Sequence, residues 1–285
     1  HKIGDTDSFG AAIGIWRIAT SFNKKARIVI NGVNSSVKPM MARFENSSDY
    51  PEDLFLTGEE AAEWAEAYKE GKKMTTSCCP AFVNMIKQHF PQLLDNMSTT
   101  VSPMCAISRM LKAQDPEVVT VFIGPCIAKK SETLDLNIQG NADYAMTYGE
   151  IRAMMRAKDV NLEPEENSMQ EASVFGKRFG NGGGVTAAVL ECLKESGENT
   201  DIKVARCNGA AECKKALLLL KVGRLPEDFI EGMACVGGCV GGPSKHKAEM
   251  EAKKSRDKLI AEADAREVHE NLKAYDMSSF SMHRH

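Results

Sequence analysis

No apolar run in this chain approaches the roughly 20 residues that span a bilayer. The longest, such as Ala216 to Leu220 and Val118 to Ile123, are far shorter, so an integral membrane protein is not expected. An excess of charge is also missing: 36 Lys and Arg stand against 39 Asp and Glu, a net charge of −3. Without a polybasic field, neither nucleic acid nor a membrane surface is an expected partner. There is no repeat of fixed period and no low-complexity linker, and no Cys-x2-Cys-x2-Cys run, which excludes a ferredoxin-type cluster motif. The start, His1-Lys2-Ile3-Gly4-Asp5, is neither a Met nor a charged-then-apolar leader and reads as an internal start. The His residues, His1, His89, His246, His269, His283 and His285, are scattered, with none placed like a paired metal ligand.

The chain has 285 residues, 43% hydrophobic and 26% charged, as in an ordinary globular protein with a sizeable core. Its nine cysteines are odd in number and lie within regular helix and strand patterns, unlike the disulfide scaffold of a small secreted domain. A reducing, cytoplasmic setting is expected, where clustered thiols serve as metal ligands or catalysts. Strand-like runs at Arg27–Ile30, Val118–Ile123, Ile202–Arg206 and Phe229–Ala234 alternate with helix patterns. The helices are expected over Glu59–Glu70, Phe82–Phe90, Ala106–Ala113, Gly149–Ala157, Val185–Glu195 and Asn208–Lys221. This alternation predicts an α/β protein with largely parallel sheets flanked by helices, whose reactive groups gather beyond the C-terminal ends of strands. The polar stretch Lys245–Ala274 predicts a charged surface helix.

Three cysteine motifs stand out. In Thr76-Ser77-Cys78-Cys79-Pro80-Ala81-Phe82, the proline predicts a helix starting beside Cys79, where the helix dipole favours a thiolate. Adjacent cysteines do not readily point at one spot, so Cys78 and Cys79 are expected to have different tasks. In Gly124-Pro125-Cys126-Ile127-Ala128-Lys129-Lys130-Ser131-Glu132, a helical turn would bring Lys129 onto the face of Cys126. In Cys235-Val236-Gly237-Gly238-Cys239, glycines let the backbone approach a bulky inorganic ligand and offer it free N–H groups. Zinc fits the ligand count, but the glycine-rich packing suits a cluster better. The remaining Cys105, Cys192, Cys207 and Cys213 have no motif and read as core thiols.

Taken in order, the three motifs resemble the cluster-binding signatures of iron-only (FeFe) hydrogenases. The resemblance covers about Glu59 to Pro243, residues 1–50 match poorly, and residues 245–285 form the charged tail. It implies one H-cluster domain over 1–285, with two lobes enclosing the cofactor at their junction. Cys79, Cys126, Cys235 and Cys239 would bind a 4Fe-4S cluster, and Cys239 would bridge to a two-iron subsite with CO, cyanide and azadithiolate. Cys78 would pass protons to the bridging amine, with Glu60, Ser98 and Glu63 continuing outward. Lys129 would hold a cyanide and Glu132 would steady it. Met233, Phe179 and Pro125 would pack around the cofactor, and Gly182-Gly183-Gly184 would line its cavity.

The implied activity is reversible reduction of protons to H2, with electrons exchanged through a ferredoxin-like carrier and the two-iron part supplied by maturation proteins. Gly124, Met104 and Phe82 depart from the Met, Gln and Trp of the best-studied members. Two other readings share the motifs: a sensor of H2 or redox state, and an iron–sulfur assembly or electron-transfer relative without the two-iron subsite. Single residues also have plainer explanations. Thr57-x-x-Glu60 resembles a capping box, Glu63 suits a solvent-facing position, and Ser98 suits a turn or cap.

Overall fold

The computed structural model describes residues 54–160, 173–261, 263 and 280–284, the side chains of 54–59, 249 and 259 apart. The strand expected over Arg27–Ile30 lies outside the described residues. Five strands are present: β1 (Met74–Thr75), β2 (Val121–Gly124), β3 (Tyr144–Thr147), β4 (Val204–Asn208) and β5 (Phe229–Met233). The α-helices are α1 (Leu54–Lys69), α2 (Pro80–His89), α3 (Pro103–Gln114), α4 (Ala128–Thr133) and α5 (Tyr148–Ala157). They continue with α6 (Val174–Arg178), α7 (Gly184–Glu195), α8 (Ala210–Lys221) and α9 (Glu249–Ala261).

The strands form two parallel sheets, one ordered β1-β5-β4 and the other β2-β3. Strand β5, at the centre of the larger sheet, is buried along its whole length, as helices on both faces require. Phe229 points to one side, where Trp64 of α1 stacks on it at a centroid distance of 4.3 Å. Ile230 faces the other side, in a cluster with Phe82 and Ile86 of α2 and Leu217 and Leu220 of α8. Gly232 makes that packing possible, because a Cβ there would lie 2.3 Å from the Phe82 ring. Against the smaller sheet, Ile151 and Met155 of α5 meet Val121, Ile123 and Met146.

Local signals set the helix ends nearest the cysteines. Pro80 opens α2 with Cys79 as its N-cap, as the motif predicts. Ser102 caps α3 by accepting from the Cys105 N–H at 3.5 Å, and Pro103 follows it. At α1 the expectation fails: the helix already runs from Leu54, so Thr57 is not an N-cap and Glu60 sits inside the helix instead of closing a capping box.

The tail also departs from expectation. Helix α9 covers Glu249–Ala261, and residues 264–274 of the expected surface helix lie outside the described residues. Beyond them, residues 280–284 return to the interior. The Val101 N–H donates to the Met282 carbonyl at 2.8 Å, and the Arg284 N–H to the Thr99 carbonyl at 2.8 Å. Thr100 and His283 form an antiparallel bridge between them, and Met282 and Arg284 are buried. Five residues with two apolar ones, Phe280 and Met282, are too few to establish a periodicity, so this pairing leaves almost no trace in the sequence.

Candidate metal centre

The three motifs converge where the two sheets meet. Cys79 follows β1 and heads α2; Cys126 lies between β2 and α4; Cys235 and Cys239 follow β5. The Cys79 side chain makes no capping hydrogen bond, which leaves its sulfur free for another task. Cys126 receives backbone N–H groups from Ala128 and Lys129, which favour its thiolate, although burial outweighs them and raises its pKa. Burial likewise pushes Cys235 up, with Cys79 and Cys126 adding to it. Cys239 rises to about 12, from burial first and then from Cys79, Cys126 and Cys235. Cys79 thus acts on all three of the others.

Cys239 keeps accessible surface although protein crowds it closely, the mark of a group lining a hollow. Its cradle is made of glycine. Gly237 and Gly238 have φ of 83° and 78°, and a Cβ on Gly238 would lie 2.3 Å from the Gly180 carbonyl. Gly180 in turn accepts from the Cys239 N–H at 2.7 Å, and a Cβ there would touch Cys239. Crowded thiols of this kind ionise only against a strong cation, such as iron supplies. Among the described residues no three His, Cys, Asp or Glu side chains close on a single metal ion. The donor set itself, four thiols around a glycine-built turn, is the kind an iron–sulfur cluster takes.

A buried cation lies beside this set. Lys129 Nζ donates to Ser102 Oγ at 2.7 Å and to Glu132 Oε2 at 2.7 Å, and sits 5.9 Å from the centre of the Phe122 ring. Glu132 Oε1 has no hydrogen-bond partner. Ser102 is a partner of Lys129 that the sequence motifs did not indicate; its place as the cap before Pro103 was the available signal. At Gly124 a Cβ would meet the Phe122 ring at 2.7 Å, so a larger residue there would displace the ring that Lys129 faces.

Phe179 and Met233 share one apolar cluster with Cys78, and Cys79 packs against it. The Pro125 carbonyl accepts from the Ser244 N–H at 3.0 Å and ties the Cys126 loop to the segment after Cys239. The Gly182–Gly184 turn, expected to line the cavity, is also a structural anchor. Gly183 N–H donates to Glu231 Oε1 at 2.8 Å, and Gly184 packs against the Arg178 carbonyl. Glu231, fully buried and also bound to Thr186, fixes the start of α7 to β5.

Away from the ligands, the structure brings the other expected residues together. Cys78 is buried and its pKa is raised well above the usual thiol range, by burial and then by Glu60. Glu60 rises to about 8, through burial and then through Glu63 and Glu231, with Arg284 opposing. Ser98 Oγ donates to Glu63 Oε2, and Thr99 Oγ1 donates to Glu63 Oε1. The side chain of Glu63 is 15% exposed, not the solvent-facing position its helix pattern allows. Ser98 is fully buried and also accepts from the Thr100 N–H at 3.2 Å, so it keeps the turn role expected of it as well. Arg284, which no sequence motif singles out, donates to the Ser77 carbonyl at 2.7 Å. Cys105, Cys192, Cys207 and Cys213 are buried, as their lack of a motif suggests.

Comparison with known proteins agrees with this geometry. Residues 49–243 match the family described as iron only hydrogenase large subunit, C-terminal domain. The chain is 31% identical over 231 residues to the periplasmic iron hydrogenase large subunit of Nitratidesulfovibrio vulgaris, covering 65% of this chain and 55% of that one. It is also 26% identical over 238 residues to the cytosolic Fe-S cluster assembly factor narfl of Xenopus tropicalis, covering 65% and 50%. The chain thus spans about half the length of the curated relatives it matches. Its fold is similar to that of an FeFe-hydrogenase from Chlamydomonas reinhardtii, with a TM-score of 0.62 and 19% identity over 93% of this chain and 85% of that one. Among the described residues no helix is long and apolar enough to cross a membrane. With four cysteines on three converging motifs, and a family match over residues 49–243, the chain belongs to the family formed by the C-terminal domain of the iron-only hydrogenase large subunit.

Proposed function

We propose that this chain catalyses the reversible reduction of protons to H2 and exchanges electrons with a ferredoxin-like carrier. The observation that carries the reading is a buried thiol, Cys78, that is not one of the four converging cysteines and whose ionisation burial and the buried Glu60 carboxyl both oppose. Cys79, Cys126, Cys235 and Cys239 would hold a 4Fe-4S cluster, and Cys239 would also meet a two-iron subsite with CO, cyanide and azadithiolate. That cofactor, inserted by maturation proteins, would supply the redox and hydrogen-binding chemistry. Lys129, braced by Ser102 and Glu132, would offer its ammonium to a cyanide. Met233, Phe179 and Pro125 would wall the cavity.

The relay residues follow from acid–base chemistry. Cys78 and Glu60 both keep their protons at neutral pH, because burial disfavours their charged forms. A neutral carboxyl both donates and accepts, so Glu60 would pass protons between Cys78 and the Ser98–Glu63 pair. Similarity to an Fe-S cluster assembly factor favours a second reading, an iron–sulfur assembly or electron-transfer protein, and a slow sensor of H2 shares the same site.

Infrared spectra and H2 turnover of the matured protein separate these readings. Bands from metal-bound CO and cyanide are expected, with sustained turnover. Cys78→Ala should abolish nearly all turnover and leave the bands in place. Absence of the bands after maturation would favour the assembly reading, and bands with negligible turnover the sensor.

A further inference from the structure

A proton route through Glu63 needs a group that meets solvent, and the structure supplies one from outside the helix that carries Glu60 and Glu63. We propose that His283 is the solvent-facing entry of this route, handing protons through Thr99 to Glu63. The inference rests on the functional reading above.

His283 Nδ1 lies 2.7 Å from Thr99 Oγ1 and 3.6 Å from Glu63 Oε1. The Thr99 hydroxyl also bonds Glu63 Oε1, and the Ser98 hydroxyl bonds Glu63 Oε2. A hydroxyl has one proton to give, and the carboxylate accepts it. The ring nitrogen facing Thr99 is therefore the N–H donor. This order makes an unbroken chain from imidazole to threonine to carboxylate to serine. Exposure falls along it: 42% for the His283 side chain, 15% for Glu63, and none for Ser98.

The ring is held in register by backbone. The His283 bridge to Thr100 is flanked by the Met282–Val101 and Arg284–Thr99 hydrogen bonds. Three charged groups surround it. Glu63 of α1 faces the ring. Arg109 of α3 is committed to the carbonyls of Gln139, Ser281 and His283. Arg284 turns inward to the Ser77 carbonyl. Among the described residues both cations thus have carbonyl partners, and Glu63 is a carboxylate within 3.6 Å of Nδ1.

The transfer balances without any further reactant. Water delivers a proton to Nε2 as the Nδ1 proton moves to Thr99, whose own proton moves to Glu63. The products are an imidazole protonated at Nε2, an intact hydroxyl and a neutral carboxyl. Rotation about Cβ–Cγ turns Nδ1 to solvent for reprotonation, and loss of the Nε2 proton restores the starting ring. The same steps in reverse carry protons out during H2 oxidation.

The test compares matured wild type with His283→Ala and His283→Gln, the second keeping a hydrogen bond to Thr99. Both are expected to slow H2 evolution roughly tenfold or more and to leave the infrared bands unmoved. Added imidazole should restore rate to His283→Ala. In cofactor-free protein, Glu63→Gln should move the NMR signals of the His283 ring. Wild-type rate in both variants, no rescue of His283→Ala by imidazole, or ring signals indifferent to Glu63→Gln, would overturn the proposal while leaving hydrogenase activity standing. A matured wild type without turnover would overturn the functional reading, and this inference with it.

Discussion

Glu60 has a carboxyl oxygen with no hydrogen-bond partner, and burial raises its pKa from 4.5 to about 8. In the unfolded chain the same group ionises near its ordinary value. Between about pH 4.5 and 8 unfolding therefore releases a proton, and stability falls as pH rises through that window. The loss amounts to a few kcal/mol, since a tenfold change in proton affinity is about 1.4 kcal/mol. Denaturant titrations of the cofactor-free protein should show it, and Glu60→Gln should remove this part of the slope; an identical slope in the variant would contradict the assignment. The sequence presented Glu60 as an ordinary helix cap, and only its resemblance to a relay position argued otherwise. The earlier helix start, which pattern alone locates poorly, removes the cap reading and no more. The cysteines were legible because proline and glycine announce their turns. Ser102, Glu231 and Arg284 were not, because each acts through partners distant in sequence.

Among the elements, the glycine turn between β5 and its following residues is the most constrained. Gly238→Ala would place a methyl against the Gly180 carbonyl at a positive φ, whereas Gly223, with a φ of 67°, has open space around it. We expect Gly223→Ala to cost about 1 kcal/mol and Gly238→Ala more than about 3 kcal/mol, since a backbone clash adds to the strain. Equal denaturation midpoints for the two variants would refute the close approach. Most helices were readable to within a few residues from apolar spacing. Strands β1 and β3 were not: β1 has two residues, too few for alternation, and Tyr144-Ala145-Met146-Thr147 has little β-branched character. Their pairing with β5 and β2 creates them.

For the molecule as a whole, the parallel two-sheet plan followed from βα alternation, and its junction from where the cysteines fall. The closing segment did not follow, because residues 280–284 depend on the surface they cover. Arg284 contributes a charged hydrogen bond to Ser77, worth roughly 2–3 kcal/mol when lost from the interior. Arg284→Ala should lower the denaturation midpoint accordingly, and Arg284→Lys should recover part of the loss. A midpoint unchanged in Arg284→Ala would show that the segment closes nothing.

That closure spans 207 residues, from Arg284 back to Ser77 beside Cys78. On the ribosome, Cys79, Cys126, Cys235 and Cys239 have all been synthesised before the strand that seals their neighbourhood exists. A nascent chain thus carries all four cysteines before it carries the residue that closes over Ser77, and that contact can form only once Arg284 has left the exit tunnel.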